Sequence, residues 1–342
     1  GDHMDSEDLT IRRKGRFDTD DVGPAFTRIF KPGQILYGSR RTYLKKVAVA
    51  DFEGICANTT FVLESKDPNV FCQELLPFIM LSDEFSKWSI GHSKGSTNPY
   101  VLFSDLAGFT LDLPSLEEQK ILADKLWAAY RVKESYRQLL ATTDDMLKAK
   151  FNDMFGRAEK NGTIADLVDY NITSVKKAFK PEDVILYIDI SSVCAESNKV
   201  LDTTEYVVKQ APSRAQQCVK KGDILVSTTR PLNRNIAVIE SDAANLVAST
   251  GFCVLRPKEG YSDYVMAIVK SDEYTDAMCD KATGGVYPAV NNGDVLSYGV
   301  NIPSEKTLQE ATAIIRQAEA TKASLRQSID AIDRVIRSLI NQ

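Results

Sequence analysis

The sequence predicts an α+β protein built from two copies of one unit, each a small mixed domain followed by a long helix. The chain matches itself at a constant offset of 189 residues, which indicates a duplication. Both copies end in a long segment with an apolar heptad repeat, which is typical of a coiled coil. With 342 residues, the chain has room for about two domains.

The repeat aligns residues 33–36, Gly-Gln-Ile-Leu, with residues 222–225, Gly-Asp-Ile-Leu. The same offset carries Arg41 onto Arg230 and continues through the long helices. A period of this length is too long for a solenoid, so it predicts a duplicated domain and not an array of small repeats.

Each globular part is predicted to contain short strands with turn residues between them, followed by helix. The predicted strands are 34–37, 46–49 and 60–63 in the first copy, and 223–227, 235–240 and 251–255 in the second. The predicted helical stretches are 70–86 and 261–279.

The two long helices are predicted to begin at Ser115 and Ser304, each of which follows a proline and can serve as an N-cap. Their apolar positions alternate by three and four residues, so each helix needs a partner helix to cover a narrow seam. About 40 residues at 1.5 Å each give a rod of roughly 60 Å. Two separate amphipathic helices, each lying on its own domain, remain the alternative. The seam residues are Leu122, Leu126, Tyr136, Leu140, Leu147, Ile315, Leu325, Ile329, Ile332, Ile336 and Leu339.

Composition excludes several classes of protein. The chain is 43% hydrophobic and 26% charged, as in soluble globular proteins, and it has no apolar run long enough to cross a membrane. Its six cysteines are scattered, which predicts reduced thiols in the cytoplasm, and with only His3 and His92 we expect no metal site. A phosphate-binding GxxxxGK[ST] loop is missing, so we expect no ATP hydrolysis by this chain.

Positive charge is concentrated at matched places, although the net charge is −5. Residues 11–46 carry a local charge of +7 and residues 209–235 carry +5. Basic and polar loops at 38–46 and 92–98 in the first copy match loops at 227–235 and 281–287 in the second. Such residues suit phosphate oxygens and base edges, although each loop alone could be an ordinary solvated turn. The candidate DNA-binding residues are Ser39, Arg40, Arg41, Tyr43, Lys45, Lys46, Lys94, Ser96, Thr228, Thr229, Arg230, Asn233, Arg234, Asn235, Lys281, Thr283 and Gly284.

The chain resembles the specificity subunit of type I restriction–modification systems over nearly its whole length. The strand and loop of residues 33–49 and their twin at 222–238 carry the resemblance most specifically. Residues 113–121, Leu-Pro-Ser-Leu-Glu-Glu-Gln-Lys-Ile, are similar to the family's Pro-x-x-x-Glu-Gln motif at the start of a spacer helix. Residues 151–156, Phe-Asn-Asp-Met-Phe-Gly, resemble its usual end.

The resemblance implies two target recognition domains joined by an antiparallel coiled coil of spacer helices, each domain reading one half of a split site in double-stranded DNA. It implies no catalysis by this chain, and it places S-adenosylmethionine and ATP on other subunits. The implied partners are two methyltransferase subunits, and the participation of restriction subunits stays open. The implied boundaries are 1–113 for the first recognition domain, 114–156 for its helix, 157–302 for the second domain and 303–342 for its helix.

Two further expectations remain from the sequence. The stretch 160–189 has no counterpart in the first copy, so we expect that copy to lack about 30 leading residues. The main alternative function is a coiled-coil scaffold whose degenerate recognition domains bind protein partners instead of DNA. A methyltransferase site at Asn98-Pro99-Tyr100 is disfavoured, because no glycine-rich cofactor loop lies nearby.

Overall fold

The structure is a computed structural model and describes residues 3–156 and 158–341. The elements up to the first long helix are β1 (Phe26–Phe30), β2 (Ile35–Gly38), β3 (Val47–Val49), β4 (Gly54–Ala57), β5 (Thr60–Leu63), α1 (Leu76–Leu81), α2 (Asp83–Gly91), α3 (Phe103–Leu106) and α4 (Leu116–Phe155). The remaining helices are α5 (Ile164–Leu167), α6 (Val175–Ala178), α7 (Ser262–Lys270), α8 (Asp272–Lys281), α9 (Asn292–Leu296) and α10 (Glu305–Ile340). The remaining strands are β6 (Gly162–Thr163), β7 (Val168–Asp169), β8 (Val184–Ile188), β9 (Val193–Cys194), β10 (Lys199–Val200), β11 (Thr204–Val207), β12 (Ala215–Cys218), β13 (Ile224–Ser227), β14 (Ile236–Val238), β15 (Leu246–Ser249), β16 (Phe252–Pro257) and β17 (Gly299–Val300).

The chain divides into two compact units. Unit 1 comprises Gly1–Leu139 and Ser324–Gln342, and unit 2 comprises Leu140–Ala323. Each unit therefore contains one globular part together with a portion of both α4 and α10. This division differs from the boundaries expected from the sequence, which assigned each long helix as a whole to one segment.

Unit 1 contains two antiparallel β-structures. Its three-stranded sheet has the order β3-β2-β5, and a separate ribbon pairs β1 with β4. The four residues of β2 are all buried, and Tyr37 from this strand packs among Phe61, Phe78 and Phe85 in the main core. The same core includes Leu126 of α4, so the helix packs directly on the domain.

Unit 2 repeats this plan and extends it. Its larger sheet has the order β7-β16-β13-β14-β10-β9, and a second sheet has the order β11-β8-β15-β12. Most neighbouring strands are antiparallel, whereas β10 pairs with β14 and β8 pairs with β15 in parallel. A short ribbon joins β17 to β6.

The helical stretches expected at 70–86 and 261–279 are each interrupted, so this prediction was wrong in detail. Ser82 and Ser271, which are repeat mates, have extended backbone with ψ near 155° and end the first helix of each pair. Their hydroxyls accept hydrogen bonds from the backbone N–H groups of Phe85 and Tyr274, which caps the next helix. A serine that caps a helix cannot continue the one before it, and this explains the break.

The expected caps of the two long helices are present. Ser115 and Glu118 form a reciprocal capping box, with the backbone N–H of Ser115 donating to the Glu118 carboxylate at 2.9 Å. At the second helix, the backbone N–H of Thr307 donates to the Ser304 hydroxyl at 3.3 Å. These caps satisfy backbone donors that the helix itself leaves unpaired.

Within each unit, α4 and α10 pair in antiparallel fashion through the expected seam. Leu126, Ile315 and Ile336 are buried, and the other eight predicted seam residues are half-buried. In unit 1 the ammonium of Lys133 on α4 donates to Asp333 on α10, and in unit 2 that of Lys322 on α10 donates to Asp144 on α4. The prediction of an antiparallel two-helix coiled coil is confirmed, and the alternative of two unpaired amphipathic helices is wrong.

Candidate nucleic-acid interface

In each unit a basic loop with a strained backbone follows a buried strand. In unit 1, Arg41 and Lys45 flank a short 3-10 helix at Thr42–Leu44 and have φ values of 49° and 46°. In unit 2, Arg230 and Arg234 have φ values of 48° and 49°. Left-handed backbone costs a non-glycine residue roughly 1–2 kcal/mol, and such strain clusters at functional sites. Both copies retain it at equivalent positions, which makes these loops candidates for function.

The structure brings the second basic loop of each copy against the first. In unit 1 the backbone N–H of Arg41 donates to the Pro99 carbonyl at 2.7 Å, and Tyr100 bridges to both Arg40 and Lys94. In unit 2 the equivalent bond runs from Arg230 to the Pro288 carbonyl, also at 2.7 Å. The separate basic stretches of the sequence therefore form one continuous surface within each unit.

The central arginine of each loop pair is oriented in a different way. The guanidinium of Arg41 donates twice to the Asn98 side-chain oxygen, at 3.0 and 2.7 Å. The guanidinium of Arg230 lies 4.5 Å from the centre of the Tyr287 ring, a cation–π contact. Asn98 and Tyr287 are themselves repeat mates, so the same frame holds two chemically different tips.

Two of the expected DNA-contacting cations are bound within the protein instead. Lys45 forms an ion pair with Asp83 at 3.1 Å, and Arg234 forms one with Asp272 at 2.6 Å. Hydrogen bonds from Arg234 and from Lys148 lower the pKa of Asp272. Because these carboxylates neutralise the two cations, we correct their assignment: they anchor the loops to α2 and α8.

Ser39 and Thr228 are also corrected, because both are buried. The Ser39 hydroxyl donates to the backbone carbonyl of Thr59 at 2.7 Å, and the Thr228 hydroxyl donates to that of Gly251 at 3.0 Å. These hydroxyls hold the loop ends in place and do not face a ligand.

The other candidates sort by exposure. Lys46, Thr229 and Asn235 are half-buried, and Lys94 is exposed but lies 3.2 Å from the Asp105 carboxylate. The remaining exposed candidates are Arg40, Arg41, Tyr43, Ser96, Arg230, Asn233, Lys281, Thr283 and Gly284.

The sequence interpretation missed the apolar tips of unit 2. Leu232 is 73% exposed and Val286 is 79% exposed, beside Tyr287 at 70%. Leu232 is the repeat mate of Tyr43, which is also exposed, so the alignment of the two copies could have indicated it. Apolar side chains at such positions can contact the methyl group of thymine or stack on bases.

The described residues show no sign of metal chemistry or of a membrane span. Residues 3–156 and 158–341 contain no group of three or more histidine, cysteine or acidic side chains placed to hold a metal ion. Over the same part of the chain, every helix is too short or too polar to cross a bilayer.

Comparison with known proteins gives one family match. Residues 14–141 match the model for the type I restriction modification DNA specificity domain. The HindI specificity subunit from Haemophilus influenzae is 31% identical over 135 residues, which are 38% of this chain and 29% of that protein. The EcoDI specificity subunit from Escherichia coli is 26% identical over 153 residues, which are 45% of this chain and 29% of that protein. The chain thus spans less than a third of the length of either curated relative.

Two solved structures share the fold over 99% of this chain. One comes from a study of complex assembly and conformational transition of the type I R-M system, with a TM-score of 0.54, 17% identity and 88% of that chain covered. The other is the type I restriction–modification S subunit from M. genitalium, with a TM-score of 0.53, 14% identity and 89% coverage. At these identities, the likeness establishes the fold alone.

Proposed function

We propose that this chain, which belongs to the type I restriction–modification DNA specificity family through the domain at residues 14–141, is a non-catalytic subunit that recognises double-stranded DNA. Each unit reads one half of a bipartite site through its own loop pair. The observation that carries the proposal is the duplicated, strained loop pair with an exposed, oriented arginine at its centre.

The exposed side chains divide into two chemical roles. Arg40 and Lys281 carry the positive charge that phosphate oxygens attract, whereas Arg41 and Arg230 present guanidinium groups that can bind guanine edges with two hydrogen bonds. Asn233 offers an amide of the kind that pairs with adenine. Because Asn98 orients one central arginine and an aromatic ring orients the other, the two units are suited to different half-site sequences.

The chemistry of methylation and cleavage belongs to other subunits in this proposal. Two methyltransferase subunits bind the chain and supply S-adenosylmethionine, and any restriction subunits supply ATP hydrolysis. The complex acts in the cytoplasm. Calorimetric titration of the isolated chain with S-adenosylmethionine should give no binding heat.

The test is a selection of bound duplexes from a random library, followed by affinity measurements on the selected DNA. The variant Arg41→Ala with Arg230→Ala should bind the selected duplex at least tenfold more weakly, because each bidentate contact contributes about 1–3 kcal/mol. Arg234 is left unchanged, since its ion pair with Asp272 is structural.

A charge-matched control separates base reading from general electrostatics. Lys209→Ala with Lys221→Ala removes two cations from the same basic segment, and both side chains form exposed ion pairs away from the loops. This control should retain sequence-specific binding. Unchanged affinity of the double arginine variant would reject the proposal, and an affinity independent of salt concentration would favour a protein-binding scaffold.

A further inference from the structure

Unit 1 and unit 2 contain the same antiparallel ribbon. In unit 1, β1 pairs with β4 and its register shifts between Phe26 and Arg28. In unit 2, β12 pairs with β15 and its register shifts between Ala215 and Gln217, which are the repeat mates of those two residues. The two ribbons share even their irregularity, so their surroundings can be compared position by position.

In unit 2 a second layer covers this ribbon. Strand β8 pairs in parallel with the outer edge of β15, β11 pairs with β8, and α6 packs against β12. Ile185 and Tyr187 of β8 are buried there together with Val175 of α6. The layer pairs the backbone of the edge strand and buries an apolar face.

The corresponding layer has no counterpart among the described residues of unit 1. There β4 pairs with β1 alone, and its four residues are all half-buried, whereas the four residues of β15 are all buried. Ile29 is 66% exposed on this ribbon, while its repeat mate Cys218 is half-buried against the covering layer.

A neighbouring aromatic residue shows the same difference. Phe17 is 73% exposed, although its repeat mate Tyr206 lies on β11 with its ring 6.1 Å from that of Tyr187. Phe17, Phe26 and Ile29 thus form, with the outer edge of β4, a surface that we name the open ribbon. An unpaired strand edge beside exposed apolar side chains is typical of a site for strand addition.

We propose that the open ribbon binds a polypeptide segment supplied by another protein molecule, with the chemistry of residues 172–188 of this chain. The bound segment forms a short helix and a five-residue apolar strand, and the strand runs parallel to β4 as β8 runs parallel to β15. Backbone hydrogen bonds to β4 provide affinity, and two alternate apolar side chains, equivalent to Ile185 and Tyr187, provide specificity. This interaction surface is independent of the loops proposed to bind DNA.

The experiment uses a fluorescent synthetic peptide of residues 171–190 and the full chain. Anisotropy titration should give saturable binding of one peptide per chain, and hydrogen exchange should slow in residues 54–57. A peptide with Ile185→Asp and Tyr187→Asp should bind at least tenfold more weakly, because its charged groups would be buried on the ribbon.

Protein variants locate the site. Ile29→Asp and, separately, Phe17→Asp should each weaken binding at least tenfold, and both replace exposed side chains, so folding should be retained by circular dichroism. Val70→Asp, an exposed site elsewhere in unit 1, serves as the matched control and should bind normally. Three results would overturn the proposal: a lack of saturable binding, equal binding by the two ribbon variants, or protection that appears at residues 246–249 instead, by displacement of the chain's own β8.

Discussion

Lys133 on α4 donates a hydrogen bond to Asp333 on α10 within unit 1, and the lysine side chain is almost fully buried. In unit 2 the equivalent bond joins Lys322 of α10 to Asp144 of α4 at 2.7 Å. The two lysines are repeat mates, and so are the two aspartates. Each unit therefore contains the same ion pair with the roles of the helices exchanged, as a duplicated chain with antiparallel helices requires.

Asp333→Ala should destabilise unit 1 by about 2 kcal/mol, because it leaves the buried Lys133 ammonium without its carboxylate. Urea unfolding followed by helical circular dichroism measures the effect. Asp330→Ala, an exposed site on the same helix, is the control and should change the midpoint little. Replacing both Lys133 and Asp333 by leucine should recover the lost stability, and failure to recover it would contradict the burial argument.

Asp144→Ala in unit 2 should cost less than Asp333→Ala in unit 1. Lys322 also donates to Glu319 at 2.9 Å, so it keeps one carboxylate after the substitution. The repeat mate of Glu319 is Tyr130, which offers Lys133 an aromatic ring and no charge. Equal losses from the two aspartate substitutions, measured in the same urea titration, would show that Glu319 does not compensate.

Asp8 should make the stability of unit 1 depend on pH in the acid range. Burial raises the pKa of Asp8, but hydrogen bonds from Arg12 and Tyr130 outweigh burial and hold the pKa below its usual 3.8. A lowered folded pKa means that the stabilisation is present above pH 3.8 and is lost as pH falls through the folded value.

The comparison is between the wild-type chain and Asp8→Asn, with thermal unfolding measured from pH 2 to 7. The variant should be less stable by about 1–3 kcal/mol at neutral pH, since its amide accepts weaker hydrogen bonds from Arg12. The difference should stay constant down to about pH 4 and shrink below it. A difference that persists unchanged at pH 2 would contradict the ionised state assigned to Asp8.

Tyr287→Ala should weaken binding to the selected duplex two- to fivefold, because the cation–π contact that orients Arg230 contributes about 0.5–1 kcal/mol at an exposed site. Tyr287→Phe keeps the ring and should bind as the wild type does. Fluorescence anisotropy titrations of both variants measure the effect. Equal loss in the phenylalanine variant would indicate a role for the hydroxyl instead of the ring.

Gly284→Ala should distort the second loop of unit 2, because φ is +102° and an added Cβ would lie 3.0 Å from the Tyr287 carbonyl oxygen. We expect a stability loss of about 1 kcal/mol together with weaker DNA binding. The adjacent Gly285→Ala is the matched control, since its Cβ would meet nothing within 4 Å. Identical behaviour of the two variants would mean that the backbone of this loop does not matter for binding.

Much of the fold follows from local patterns in the sequence. The constant offset between copies predicted which strands and loops correspond, and the heptads with their serine caps predicted α4 and α10. The break at Ser82 was readable in principle, because a serine followed by Asp83 and Glu84 is a typical helix start. It was missed because the apolar spacing runs across it.

The site was predictable only in part, because it depends on contacts between residues distant in sequence. The basic loops were identifiable, yet the partner of Lys45 lies 38 residues away at Asp83, and nothing local distinguishes an anchored cation from a free one. The covering layer of unit 2 and the open ribbon of unit 1 likewise become visible only when strand neighbours are known.

The most direct test of the central claim is selection of duplexes from a random library by the wild-type chain and by two single variants, Arg41→Ala and Arg230→Ala. The account predicts that the wild type enriches a site of two short motifs separated by an unread spacer. Each variant should lose one motif and keep the other. No enriched motif with the wild type, or loss of both motifs from either substitution, would contradict the claim that each unit reads its own half of the site.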